Sequence, residues 1–338
     1  MKLGIIGLPR AGKSTVFDAL TRNISGPEHK GRDRIATVRV PDDRVDALSR
    51  MVNPQKTICA QVEYFLPGLK KDSAADPSLW TAVRDCDALL HVIRNHAAYG
   101  FEKPSPAEDF RRLDQELVLA DLVVAEKRLE RIELDHRRGK KMDPEEYDLL
   151  TACRDCLENE MALRNKPELA AAHRLRGFAF LSAKPVLILF NNEDDDDRLP
   201  NIERLAAAEE CMIIRAKLEQ ELAQMDTAEA AEFLAEFNIP ASAMDRVIRQ
   251  SYALLDLISF FTIISNEVRA WTLKKGTRAL EAAGHIHSDM QKGFIRAEVI
   301  SFQDLMAAGS YGDAKKQGTV RLEGKAYEVQ DGDIIQFR

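Results

Sequence analysis

The chain of 338 residues is 45% hydrophobic and 30% charged, an ordinary globular composition that excludes wholesale disorder and, at roughly 150 residues per domain, implies two or three domains. No apolar run approaches the roughly 20 residues needed to cross a bilayer, and Met1-Lys2-Leu3-Gly4-Ile5-Ile6 opens no long signal core, so a cytoplasmic protein without membrane contact is expected. A net charge of −7 and only five cysteines argue against whole-chain affinity for nucleic acid and against a disulfide framework.

The apolar run 3–6 predicts a strand. It leads directly into Gly7-Leu8-Pro9-Arg10-Ala11-Gly12-Lys13-Ser14, and a helical run holding Phe17 and Leu20 follows. A complete G-x-x-x-x-G-K-S between a strand and a helix is the phosphate-loop pattern. Its backbone N–H groups and helix N-terminus surround a dense anion such as a triphosphate. The expected nucleotide contacts are Pro9, Arg10, Ala11, Gly12, Lys13, Ser14 and Thr15. Lys13 is expected to bridge the β and γ phosphates as the catalytic residue, and Ser14 to give an oxygen to Mg²⁺. The plainer alternative is a loop kept as scaffold without nucleotide.

Runs 35–40, 60–66, 88–93, 185–190 and 211–214 predict further strands, the third and fourth of them apolar enough to be buried on both faces of a parallel sheet. The predicted class is therefore α/β, with ligands at the C-terminal edge of the strands. Over 114–178 the strand signal stops. Val118, Leu122, Ala125, Leu129 and Ile132 recur at alternating spacings of four and three, a heptad seam. Leu150, Cys153, Leu157 and Met161 mark a second helix, and His136-Arg137-Arg138-Gly139-Lys140-Lys141 a basic turn between the two. Helices are expected over 218–257. From 258 on, short strand-like runs and turn pairs such as Glu323-Gly324 and Asp331-Gly332 predict a β-rich module with a helix near 301–308. Its segment 267–338 holds eleven basic and ten acidic residues, and this near-neutral balance leaves room for a local RNA contact. Cys153 and Cys156 are expected as core residues. His285 and His287, two apart, suggest one side of a strand without a third metal ligand.

The order of these segments resembles the YchF family, the Obg-like ATPases among translation-factor-related P-loop NTPases. The resemblance rests on Gly7-Leu8-Pro9, on 38–42 with Arg44 and Asp46, and on Glu116-Leu117-Val118-Leu119-Ala120-Asp121-Leu122. It is strongest in Glu267-Val268-Arg269-Ala270-Trp271-Thr272, Gly293-Phe294-Ile295-Arg296-Ala297-Glu298 and Val329-Gln330-Asp331-Gly332-Asp333, which look like the family's TGS domain. The family layout implies a nucleotide-binding domain over 1–113 and 179–257, a coiled-coil insertion over 114–178 and a TGS domain over 258–338. It also implies ATP or GTP hydrolysis, with ribosome or tRNA partners reached through the TGS domain and the basic hairpin tip.

The same resemblance assigns base recognition to an N-x-x-E segment, here Asn191-Asn192-Glu193-Asp194, and to backbone at Arg215-Ala216-Lys217. Asn191, Asp194, Ala216 and Lys217 are thus the expected base contacts, with ATP and GTP both open because Asp replaces the final Glu. Three departures bear on catalysis. The family's D-x-x-G, whose aspartate holds the Mg²⁺ water shell and whose glycine senses the γ phosphate, aligns with Phe65-Leu66-Pro67-Gly68, so the resemblance leaves the glycine at Gly68 but the metal-side acid is gone, and the switch threonine that ligates Mg²⁺ falls at Lys30 by a gapless count. The second switch is shortened to Lys70-Lys71-Asp72-Ser73-Ala74-Ala75. A weak or slow hydrolase is therefore expected, with a catalytically degenerate nucleotide-binding adaptor as the alternative.

Overall fold

The computed structural model describes residues 1–22, 31–68, 77–97, 102–201, 210–236, 239, 242–264 and 266–338. Its strands in chain order are β1 (Lys2–Ile6), β2 (Arg34–Arg39), β3 (Lys56–Ile58), β4 (Gln61–Leu66), β5 (Ala88–Asn95), β6 (Val186–Asn192), β7 (Glu210–Ile214), β8 (Leu257–Ile264), β9 (Glu267–Lys274), β10 (Ala297–Ser301), β11 (Arg321–Glu323) and β12 (Asp333–Phe337). They form two six-stranded sheets in the orders β2-β4-β1-β5-β6-β7 and β11-β10-β12-β8-β9-β3. The chain divides into two compact units, Met1–Thr37 with Glu63–Val247 and Val38–Val62 with Ile248–Arg338.

In the first unit β1, β4, β5, β6 and β7 run parallel, so helical crossovers cover both faces and the inner strands become apolar throughout. All seven residues of β6 and the first six of β5 are buried. The strand order departs in both directions from β1, which places the loop after β1 at the topological switch point where α/β sheets bind ligands. Helix α1 (Lys13–Thr21) follows and buries Val16, Phe17, Ala19 and Leu20.

Two helices build the insertion. The first, α4 (Pro106–Arg137), comes after α2 (Asp43–Val52) and α3 (Pro77–Val83), and α5 (Pro144–Glu158) returns along it. With 32 residues, α4 runs roughly 48 Å at 1.5 Å per residue. Its N-terminal Phe110, Leu113 and Leu117 enter the core around Ile6, Leu89 and Ile188. Further along, Val118, Ala125, Leu129 and Ile132 pack against Leu150, Cys153 and Leu157 of α5, so the predicted seam is real and one helix serves two cores. Proline opens both helices, where no N–H is needed, and Asp143 caps α5 by accepting from the Glu145 N–H at 3.2 Å.

The seam also carries a charge. Asp121, fully buried, accepts from Arg84 Nη1 at 2.9 Å and from the Ser182 N–H at 2.7 Å. Burial pushes its carboxyl up, against the pull of these donors.

The second unit takes in residues 38–62, which sequence grouping places with the nucleotide domain. The reason is the short β3, which pairs parallel with β9, Lys56 opposite Glu267. Arg44 at the start of α2 pairs with Asp42 at 2.8 Å and with Asp331 at 2.7 Å, while Asp331 also accepts from the Ser259 N–H. Segments separated by almost 290 residues thus share one ion network.

Around this network β8 and β9 form a full antiparallel hairpin, and the helix expected near 301–308 is found at Phe302–Ala308, capped by the Ser301 hydroxyl accepting the Asp304 N–H. His285 lies on helix Ala279–Ile286 and His287 caps Ser288–Lys292 through its own ring, so the expected strand there is replaced by two helices. Alanines 279, 282 and 283 explain this, because their spacing buries one helical face.

Among the described residues no helix is long and apolar enough to span a membrane, and no disulfide forms.

Candidate functional site

Gly12 is the N-cap of α1 at φ 98, a left-handed conformation in which a side chain is strained. A Cβ there would also run into the Asn191 carboxamide, so glycine is demanded twice over. Lys13 begins the helix and folds back across the loop, donating from Nζ to the Gly7 and Leu8 carbonyls at 2.8 Å each. Burial lowers its pKa to about 8. The Lys13 amine is therefore held over the loop by neutral carbonyl acceptors and, among the described residues, by no carboxylate.

Beside it opens a cleft of about 610 Å³, a size suited to a nucleotide-scale ligand. Arg10, Gly12, Lys13, Ser14 and Thr15 line one side, and Asn191, Asp194 and Lys217 the other. Of the remaining predicted contacts, Ala11 and Ala216 are buried behind the wall. Pro9 is exposed outside the lining.

Asn191 joins the two halves. Its Nδ2 donates to the Ala11 carbonyl at 3.1 Å, and its Oδ1 accepts the Ala216 N–H at 3.0 Å. The buried side chain at the end of β6 thus positions the phosphate loop and the start of helix Ala216–Leu222 at once. Asp194 is held through its backbone, since Arg215 Nη1 donates to its carbonyl at 3.2 Å, and its side chain is left exposed at the rim.

Sequence reasoning missed five lining residues: His96, Ala97, Asn192, Glu193 and Gln220. Glu193 accepts the Ala97 N–H at 2.6 Å, and Asn192 accepts from Asn95 Nδ2 at 2.9 Å. Register alone brings them together, because β5 pairs with β6 up to Asn95 opposite Asn192.

Gln220 donates to Asp18 Oδ2 at 3.2 Å, and Arg34 Nη1 to Asp18 Oδ1 at 2.8 Å, with the guanidinium 4.5 Å from the centre of the Phe17 ring. This nearly buried ion pair fixes β2 to α1. Behind the loop, His91 stacks on Phe110 at 5.5 Å. Full burial, helped by the Arg164 and Lys13 charges, drops its pKa to about 3, so it is a neutral core group.

The departure at 65 is visible in the packing. Phe65 is buried in the cluster of Ile6, Trp80, Val83 and Ile93, with Lys2 Nζ 4.4 Å from its ring centre. Position 65 itself thus presents a ring to the core where the family pattern has a carboxylate. Lys30 and 70–75 lie outside the described residues.

Elsewhere, Lys315 pairs with Glu298 and Lys316 with Asp313, whereas Lys274, Lys275, Lys292 and Arg296 are exposed. At the hairpin tip Lys140 pairs with Asp135 at 2.9 Å.

A parallel sheet with a glycine-capped lysine loop at its switch point defines a P-loop nucleotide-binding fold with a helical hairpin and a C-terminal β-rich domain. Residues 257–338 match the family model YchF-GTPase_C, described as a protein of unknown function (DUF933). The ribosome-binding ATPase YchF of Bacillus subtilis is 36% identical over 99% of this chain and 98% of its own, and that of Escherichia coli O157:H7 35% identical over 99% and 98%. The Schizosaccharomyces pombe YchF GTPase structure superposes with a TM-score of 0.87 at 26% identity, covering 100% of this chain and 97% of that one. The chain belongs to the YchF family.

Proposed function

We propose that the protein binds a purine nucleoside triphosphate, ATP or GTP, in the cleft beside Lys13, hydrolyses it slowly and acts with the ribosome in the cytoplasm. The observation that carries the nucleotide reading is the placement of Lys13, Ser14 and Thr15 on one wall and Asn191, Asp194 and Lys217 on the other. The loop amides and the α1 N-terminus would hold the phosphate chain, and Lys13 would leave its two carbonyls for the β and γ oxygens. Asp194 and Lys217 would face the base, with Asn191 and the Ala216 backbone bonded to it forming the wall behind them.

Ser14, exposed in the first turn of α1, suits a hydroxyl ligand of Mg²⁺, an ion that keeps several waters and borrows phosphate oxygens. When bound it would neutralise charge developing between those phosphates. Among the described residues no cluster of three or more acidic, His or Cys side chains could hold a metal without the nucleotide.

The burial of Phe65 supports slow turnover, because charge stabilisation and water positioning supply most of the rate in phosphoryl transfer. The same observation favours the second reading, an adaptor that binds nucleotide and partner without hydrolysis. Ribosome association draws on the names of the relatives and on the exposed basic residues of the hairpin tip and the C-terminal domain, a TGS module by resemblance. Nucleotide affinity measured alongside single-turnover phosphate release tests both readings. Slow magnesium-dependent release supports the first, binding without release the second, and release at rates typical of efficient hydrolases contradicts both.

A further inference from the structure

The end of β4 holds an anion of the protein's own. The register sets Gly4 of β1 opposite Phe65 of β4, so three residues on, Gly7 and Gly68 lie at the same edge, where the phosphate loop begins. The Gly68 N–H donates to Asp33 Oδ1 at 2.8 Å. A Cβ on Gly68 would meet the Arg32 carbonyl carbon and the Gly31 oxygen at 2.5 Å, so the backbone of 31–32 lies directly on this glycine and fixes the direction of its amide. Arg34, one residue beyond Asp33, is anchored to the nearly buried Asp18 on α1. Asp33 is thereby presented to Gly68 by structure that needs no ligand.

In nucleotide switches, segments next to the phosphate loop are drawn in by the γ-phosphate and released on its loss. Here the amide at the β4 end is already engaged by a carboxylate. A tethered anion competes at high effective concentration, and the neighbouring Phe65 offers no acid to recruit a metal with its waters. We propose that Asp33 is a built-in substitute for the γ-phosphate at Gly68, and that it removes the cleft's preference for nucleoside triphosphates over diphosphates. This rests on the nucleotide reading above. It makes the docked arrangement of 31–34 against Gly68 the resting state, whichever nucleotide is bound.

The test compares the full-length protein with Asp33→Ala and Asp33→Asn. Asp33 is exposed, so neither change removes core packing. Amide exchange at Gly68 is measured without nucleotide, and affinities are measured for Mg·ATP against Mg·ADP and Mg·GTP against Mg·GDP. Wild type should bind di- and triphosphate within about threefold of each other. Asp33→Ala should speed Gly68 exchange and raise the preference for triphosphate about tenfold, the effect of one freed charge-assisted hydrogen bond. Asp33→Asn, which keeps an uncharged acceptor, should fall between them. Gly68 exchange equal in wild type and Asp33→Ala overturns the proposal, as does a tenfold triphosphate preference already present in wild type. Should no nucleotide bind any variant, the nucleotide reading fails, and the exchange result alone decides whether Asp33 holds Gly68.

Discussion

Asn191 donates from its carboxamide to the carbonyl of Ala11, 180 residues earlier in the chain, at 3.1 Å. The same side chain accepts the Ala216 N–H, so two separate loops take their positions from one buried residue. Asn191→Ala would leave a buried donor and a buried acceptor unpaired, at about 1–3 kcal/mol each. The unfolding midpoint should fall by several degrees, with nucleotide affinity at least tenfold weaker. Full affinity in a folded Asn191→Ala protein would mean that Asn191 does not organise the cleft.

Lys13 gives a pH signature. Its pKa of about 8 lies below the ordinary 10.5, so between these values the unfolded chain binds the extra proton and ligand-free stability rises with pH. Below pH 8 both states carry the charge and the burial cost is constant. Lys13→Met should be more stable than wild type at pH 7, with the gap closing toward pH 10, and should lose nucleotide binding. Paired denaturant titrations at the two pH values check this, and a gap independent of pH would contradict the buried-ammonium account.

His91 acts with the same sign in a more acidic window, because burial depresses its pKa too. Its folded pKa of about 3 lies below the ordinary 6.5, so stability is full above pH 6.5 and is lost as pH falls, the unfolded imidazole taking up the proton first. At pH 5 the loss is about 2 kcal/mol. His91→Phe, which keeps a ring against Phe110, should flatten this part of the pH profile in urea unfolding. An unchanged acid slope would assign it to other groups.

Most of the first sheet was legible from the sequence because its strands are continuous apolar runs, and the phosphate loop because glycine and lysine at fixed spacing have one common use. The hairpin was legible through its seam, though its first helix starts at Pro106, ahead of the seam, where Phe110 and Leu113 belong to the α/β core. Pairings that depend on register were not legible. Three residues of β3 carry too little pattern to reveal that they join β9, and nothing local at Asp18, Arg34 or Gln220 shows that their side chains meet. Asp121 looks like a surface position of the heptad until Arg84 and Ser182 are brought to it by the fold.

The Asp18 pair supplies a further expectation. The side chains of Arg34 and Asp18 are 11% and 9% exposed, so Asp18→Ala strands a guanidinium in a nearly dry site and should cost about 3–5 kcal/mol. Replacing both by apolar residues, Asp18→Leu with Arg34→Met, should recover most of it. Calorimetric unfolding of the single and double variants distinguishes a structural clamp from two independent surface charges, which would give small additive effects.

Phe65→Asp tests whether the missing acid can simply be restored. The side chain is 4% exposed within an apolar cluster, and removing it costs about 3–5 kcal/mol before any charge is counted. The variant should be strongly destabilised and no faster in phosphate release. Faster release in a stable protein would show that position 65 faces the phosphates after all.

Equilibrium binding of ATP and GTP with Mg²⁺ to the folded full-length chain, with Lys13→Ala in parallel, bears most directly on the account. Saturable one-to-one binding that disappears in Lys13→Ala is the predicted result. An absence of binding heat for both nucleotides at millimolar concentration, or equal affinity in the two proteins, would contradict it.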